Sequence, residues 1–350
     1  MPSRKTLSVC CFMIATLMFA DSKGLLFAQS DATSIVECTE TTEFIRVSVR
    51  GKPVLVYNKA VQEPPQGIDA IYRRSGYIHP LYSPSGRIVT GDFAPDHAHQ
   101  HALFGAFVDT SFEGQPIDFW NQHKRTGGVS HDKVIEVQSG DEVGTFTVEL
   151  LHQAYPVSDQ AKPVLRERWT VQVYADTDPG FVLDIRSEIT CIADSPLRVN
   201  QYHYGGMAIR GNNQWVTAES EKAIRQFVQA KESDPRLALP SLDVAKHQFL
   251  TSRGERRFAG NGSHVKWVDL FGRVDGKLCG VAMLSHKDNF RFPQAVRLHP
   301  SKPYFCFAPM VDGEFTIEPS ETYTASYRYI AHDDSPNAES IEQAWLQFTR

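Results

Sequence analysis

Residues 165–192 read LRERWTVQVYADTDPGFVLDIRSEITCI. Apolar and polar residues trade places through 165–175 and again through 181–192, and ADTDPG between them is a dense turn signal. Period-two alternation sends successive side chains to opposite faces of a strand, so the stretch predicts an antiparallel hairpin with one buried face. The pattern extends in both directions. FIRVSV (44–49) and PVLVYN (53–58) flank the Gly-containing turn RGK, and GTFTVELLH (144–152) precedes the central hairpin. HVKWVDLFG (264–272), KLCGVAML (277–284), YFCFAPM (304–310), GEFTIEP (313–319) and TYTASYRYIAH (322–332) follow it. DGK at 275–277 and DG at 312–313 carry tight-turn chemistry.

Helical periodicity is scarce. SEKAIRQFVQAKE (220–232) has Ala223, Phe227 and Val228 near helical spacing, with Ser220 as the expected cap. NAESIEQAWLQFT (337–349) puts Ile341, Ala344, Trp345 and Phe348 on one stripe and predicts a short C-terminal helix. Many strands, two helices and no βαβ alternation predict an all-β protein, a large antiparallel two-sheet β-sandwich, as one domain over residues 29–350.

Composition narrows the function classes. Of 350 residues 41% are hydrophobic and 22% charged, as in ordinary globular proteins. The net charge of −5 leaves no basic surface for nucleic acid or anionic lipid. Arg4 and Lys5 followed by LSVCCFMIATLMFA (7–20) read as a secretory leader over residues 1–28, which predicts export to the periplasm or the medium. No later segment approaches 18 apolar residues, so no membrane span is expected. Cys10 and Cys11 fall in the leader. Cys38, Cys191, Cys279 and Cys306 lack C-x-x-C spacing and are expected as free thiols, mostly buried.

The chemistry concentrates in histidine. Of 13 histidines, six fall between His79 and His131, and DHAHQH (96–101) holds three at alternate positions. On a strand His97, His99 and His101 would share one face, as a row of proton carriers or as metal ligands. Three ligands from one strand rarely converge, so a divalent metal would take His97 and His99 and recruit another group. Gly91 followed after five residues by His97-Ala98-His99 resembles the start of a cupin metal motif, but Leu103 and Phe104 stand where its Glu belongs. The plain alternative is a His-rich strand with no chemistry.

NQYHYGGMAIRG (200–211) adds His203, Tyr204 and Arg210, and SHKDNFRFP (285–293) adds His286, Asn289 and Arg291 beside phenylalanines. RRSGYIHPLYSPSG (73–86) contributes His79, and DFWNQH (118–123) contributes Asp118, Trp120 and His123. Aromatic faces among amide, guanidinium and imidazole donors suit a polyhydroxylated ligand.

SGYIHPLYSPSGRIVTGDFAPDHAHQHALFGAF (75–107), IDFWN (117–121) and HKDNFRFPQAVRLHPSKPYFCFAP (286–309) resemble the secreted PmoA-like family, an uncharacterised group common in planctomycetes. The family label evokes methane monooxygenase, whose similarly named subunit is a membrane protein; without a predicted span that activity is not expected. The resemblance implies an architecture similar to the β-supersandwich of aldose epimerases and some glycan lyases, and it favours carbohydrate. Relatives usually carry His-His-Arg-Gly where this chain has His99-Gln100-His101-Ala102. The expectation is an exported carbohydrate-active enzyme performing hydrolysis, elimination or epimerisation on a sugar or keto-sugar glycoside. His97, His99, His101 and His203 are its catalytic candidates. His79, Asp118, Trp120, Tyr204, Arg210, His286, Asn289 and Arg291 are its substrate-binding candidates. A non-catalytic carbohydrate-binding protein and a metal-dependent hydrolase or oxygenase are the alternatives. The shortage of obvious carboxylate pairs favours imidazole chemistry over ordinary glycoside hydrolysis.

Overall fold

A computed structural model describes residues 34–155, 160–176 and 178–350, so the leader expected over 1–28 lies outside the described residues. The central hairpin forms as its alternation dictates. Lys162–Tyr174 pairs antiparallel with Phe181–Cys191, and Trp169, Val171, Leu183 and Ile185 turn inward. These two strands lie inside an eight-stranded sheet whose spatial order is His247–Thr251, Trp267–Val274, Lys277–Ser285, Thr322–Asp333, Phe181–Cys191, Lys162–Tyr174, Val143–Ala154 and Gly127–Gln138. A second eight-stranded sheet runs Val36–Glu40, Phe44–Val49, Lys52–Asn58, Tyr77–Leu81, Leu103–Ala106, Gly206–Arg210, Tyr304–Phe307 and Val296–Leu298. Every pairing in both is antiparallel.

The main core gathers the inward faces of both sheets, with Tyr57, Phe104, Trp169, Ile209, Phe305 and Tyr327 all buried. Burying each such side chain contributes on the order of 1.5–3 kcal/mol, which is why the alternation is so legible. In a smaller four-stranded sheet, Phe315–Ile317 falls within the expected strand 313–319, but its neighbours Leu197–Val199, Thr110–Phe112 and Gln115–Ile117 were not anticipated; they are too short to show a period. The C-terminal helix spans Ala338–Phe348 and buries Ile341 and Ala344 in a second cluster with Trp267, Leu284 and Ile330. The turns of RGK and DGK form with Arg50, Gly51, Asp275 and Gly276 at positive φ. At 312–313 no hairpin forms, because Pro309–Asp312 is a 3₁₀-helix that Gly313 ends.

Two local expectations change. The helix Ala218–Ser233 is capped by Thr217, not Ser220; Ser220 returns a hydrogen bond to Thr217 in a capping box. Residues 96–101 are not a strand. His97 N donates to Ala94 O at 3.0 Å and Gln100 N to His97 O at 3.0 Å, so the stretch is two successive turns. Pro95 explains it, since it presets the second position of a four-residue turn. The four described cysteines are free, and Cys191, Cys279 and Cys306 are buried.

Candidate active site

The turns of 94–100 are tied at both ends to the strand Gly206–Arg210. Gly91 N donates to Arg210 O at 3.0 Å, and Arg210 N donates to Ala102 O at 2.7 Å. His97 and His99 then stand on the outer side of the loop and His101 on the inner side, where a strand would have aligned all three.

The outer side carries the chemistry. His97 Nδ1 lies 3.0 Å from Asp96 Oδ2. Asp96 is also held by Arg210, Nη2 to Oδ1 at 2.9 Å, and by Lys302, Nζ to Oδ2 at 3.0 Å. Burial works to raise the Asp96 carboxyl, but bonds from His97, Arg210 and Lys302 and the Arg210 charge outweigh it and hold it well below the usual carboxylate range. An ionised Asp96 only accepts, so Nδ1 of His97 carries a proton and Nε2 is the nitrogen left for a ligand. Lys302 also pairs with Glu221, which ties the first turn of helix Ala218–Ser233 to the dyad.

His97 is the centre of an imidazole row. Ring centroids lie 5.5 Å from His99 and 5.5 Å from His299, and His99 lies 5.8 Å from His123. His299 Nδ1 accepts from the backbone N–H groups of Ser301 and Lys302, so its proton sits on Nε2. Burial first, then repulsion from a protonated His97, push His99 and His299 down to about 3, and both are neutral at pH 7. Asp96, His97, His99, His123 and Tyr72 face a groove of about 550 Å³. Among the described residues no group of three or more His, Cys, Asp or Glu side chains is arranged to hold a metal ion.

The other expected residues have different work. His101 is buried, with Nδ1 2.8 Å from Asp92 and Nε2 3.2 Å from Gln122 Oε1, so neither nitrogen is open to a substrate. Arg210 is fully buried and grips Asp96 and Gln100 instead of a ligand. His79 is bonded to Thr90 below the loop, and burial lowers its pKa. Asp118 caps the turn that carries His123, accepting from the N–H groups of Trp120 and Asn121 and pairing with Lys124. Trp120 is core, packed on Phe104 with centroids 4.5 Å apart, and Tyr204 bonds Asn121 beside it.

His203 is exposed between Tyr202 and Tyr204 and does not line the groove. His286 faces a separate cavity with Asp184 and Arg186. Asn289 is spent on Ser285 and Ser326, and Arg291 on the carbonyls of Pro309, Gly313 and Glu314, so this loop is a structural clamp. Sequence reasoning missed Tyr72, His299 and Lys302. The one local signal was HPSKP (299–303), a polar loop bracketed by prolines between two apolar runs.

Fold and site together define an all-β sandwich protein with an imidazole-lined groove on its loops. The chain belongs to a family of unknown function (DUF6807), whose profile matches residues 45–346. No curated protein matches it significantly. Among solved structures it is similar to the heparan sulfate lyase HepC from Pedobacter heparinus, with TM-score 0.36, 11% identity, and 87% of this chain and 37% of that chain covered. It is also similar to the Slr1438 protein from Synechocystis, with TM-score 0.34, 12% identity and coverage of 92% and 100%. A galactose mutarotase related enzyme from Lactobacillus acidophilus gives TM-score 0.31, 9% identity and coverage of 85% and 97%. The chain thus spans 37% of the lyase's length.

Proposed function

We propose that this protein is an exported, PmoA-like carbohydrate-active enzyme that moves a carbon-bound proton of a sugar or keto-sugar glycoside, by elimination or epimerisation. The observation that carries the reading is the Asp96–His97 dyad, anchored by Arg210 and Lys302 and lining the groove. Nε2 of His97 takes the proton from a carbon beside a carbonyl or carboxyl group, whose oxygen takes the electron pair as an enolate. The enolate then expels the β-linked alkoxide, which leaves as the alcohol on taking a proton, or regains a proton from solvent on the opposite face. Asp96 stabilises the imidazolium that forms and holds the ring's tautomer, the role a buried carboxylate plays behind a histidine base. His99 and His299, neutral at pH 7, flank the base without adding charge that would weaken it. Tyr72 offers an aromatic face for a sugar ring, and the groove's carboxylate and imidazoles offer hydroxyl partners. The leader-like first 28 residues support export.

The test is carbon–deuterium exchange, followed by NMR in D₂O with keto-glucosides, hexuronates and neutral glycosides. Wild type should incorporate deuterium beside the carbonyl or carboxyl of at least one of them. His97→Gln should slow this by about 100-fold or more. Its Tm should move by no more than about 2 °C, because the ring is partly exposed. Undiminished exchange in His97→Gln would sink the reading. Saturable sugar binding with no exchange in wild type would favour the carbohydrate-binding alternative.

A further inference from the structure

Across the 3₁₀-helix Ala70–Tyr72 from the imidazole row lies a second, larger groove of about 640 Å³. Its walls carry three guanidinium groups, Arg73, Arg74 and Arg125, and a single carboxylate, Asp69, which also lines the first groove. Asp69 is partly spent as the cap of that helix, accepting from Ile71 N at 2.9 Å. Among the described residues none of the three arginines has a carboxylate partner within ion-pair distance. Arg73 and Arg125 are exposed, and Arg125 is held at φ 59° at the end of the turn that carries His123.

Arg74 is the informative one. It is only 3% exposed, yet its one side-chain hydrogen bond is a long one, Nη2 to Gly105 O at 3.4 Å, and Nε has no partner. Phe104 lies beneath the guanidinium, 5.2 Å from its centre. Burial pushes its pKa down to about 10, against the opposing pull of Glu167 and other anions further away. A buried cation without a direct counter-ion is costly, and it is kept where an anion from outside completes it. The chain as a whole is acidic, so this cluster stands against the prevailing charge. Gln122 lines the second groove. Its Oε1 faces His101 and its Nε2 donates to Arg73 O at 2.8 Å.

We propose that the second groove is an anion subsite in which Arg73, Arg74 and Arg125 take the carboxylate or sulfate of an acidic sugar whose adjoining ring lies against His97 and His99. The inference rests on the carbohydrate reading of the first groove and names its substrate class. Carboxylate and sulfate both match the planar guanidinium fork.

Isothermal titration of the full chain at low salt tests it with glucuronate, glucose 6-sulfate and glucose as probes. At least one acidic probe should bind about ten-fold or more tighter than glucose, and the stronger of the two identifies the anion. Arg73→Ala/Arg125→Ala, two exposed positions, should abolish that preference while the protein remains folded by circular dichroism. Arg74→Met should abolish it too and should not lower Tm, since an apolar side chain relieves the buried charge. Equal binding of glucose and both acids, or a preference surviving in the double variant, overturns the proposal. His97→Gln should keep the preference. Acid-selective binding in a chain that exchanges no deuterium therefore upholds the subsite while the catalytic reading falls. Deuterium exchange on neutral sugars with no acid preference overturns the subsite alone.

Discussion

Asp96 is held on one side by two cations and on the other by the imidazole it orients, and Arg210 decides whether that arrangement survives. The Arg210 side chain is fully buried and forks to Asp96 and to Gln100, with Nη1 to Gln100 Oε1 at 2.9 Å. A lysine presents one compact ammonium and cannot hold both acceptors in place. Arg210→Lys is expected to cost about 3 kcal/mol, as breaking a buried pair does, and to lower Tm by roughly 6 °C. Turnover should fall with it, because His97 loses its fixed partner, while KM should change little, because Arg210 does not line the groove. Calorimetry and steady-state kinetics check both; an unchanged Tm with a raised KM would restore the ligand-contact role that the sequence suggested. At this scale His97 and His99 were legible because alternating imidazoles are rare in a strand and conspicuous anywhere. Arg210 was misread because nothing in the sequence distinguishes a guanidinium aimed at a substrate from one buried beneath it. His299 was invisible because its neighbours in space come from the other end of the chain.

The loop of residues 91–102 turns a row of side chains into a site, and its geometry depends on Gly91. A Cβ there would lie 2.5 Å from Gly211 O and 2.6 Å from Asn213 Oδ1, and the first is a backbone atom that cannot step aside. Gly91 also bonds the Arg210 strand at one end of the loop and accepts from Ala102 N at the other. Gly91→Ala should therefore shift the loop off the strand, cost about 2–3 kcal/mol and lower Tm by roughly 5 °C. The imidazole NMR signals of His97 and His99 should move with it; a variant that melts and resonates like wild type would show that the loop does not depend on this contact. Strands with one buried face announced themselves in the sequence, since burial imposes period two. This loop counterfeited that pattern. Its alternation of His with Ala and Gln comes from two turns, and Pro95 was the signal that outweighed it. Three strands of the small sheet, Thr110–Phe112, Gln115–Ile117 and Leu197–Val199, were hidden for the opposite reason, being shorter than one reading of the period.

Across the whole molecule, packing two large sheets together has buried imidazoles as well as hydrocarbon, and that sets a pH dependence. His79, His99, His131, His203, His247 and His299 are all held below the ordinary histidine value, in each case by burial first. The unfolded chain therefore binds more protons than the native one below about pH 6.5, so stability falls as pH drops from there, down to about 3 for His99 and His299. His332 runs the other way. Asp269 raises its pKa against the effect of burial, so its contribution is full at low pH and lost as pH rises, which offsets part of the total. Carboxylates such as Asp92, Asp96 and Glu167 have lowered pKa values, and their contributions are lost only below their ordinary range near pH 4. Between pH 7.5 and 5.5 the imidazoles thus act almost alone. His99 and His299, held near 3, each remove on the order of 1 kcal/mol over that interval; the other lowered imidazoles add to this and His332 offsets part of it. Scanning calorimetry should find Tm falling by roughly 3 °C or more from pH 7.5 to 5.5. A His99→Gln/His299→Asn double variant should lose part of that slope, because it removes two of the six groups responsible. A flat or rising Tm across the interval in wild type would mean that the groove admits protons freely in the folded state. The imidazoles flanking His97 would then be charged at mildly acidic pH and would compete with the base they are placed to leave undisturbed.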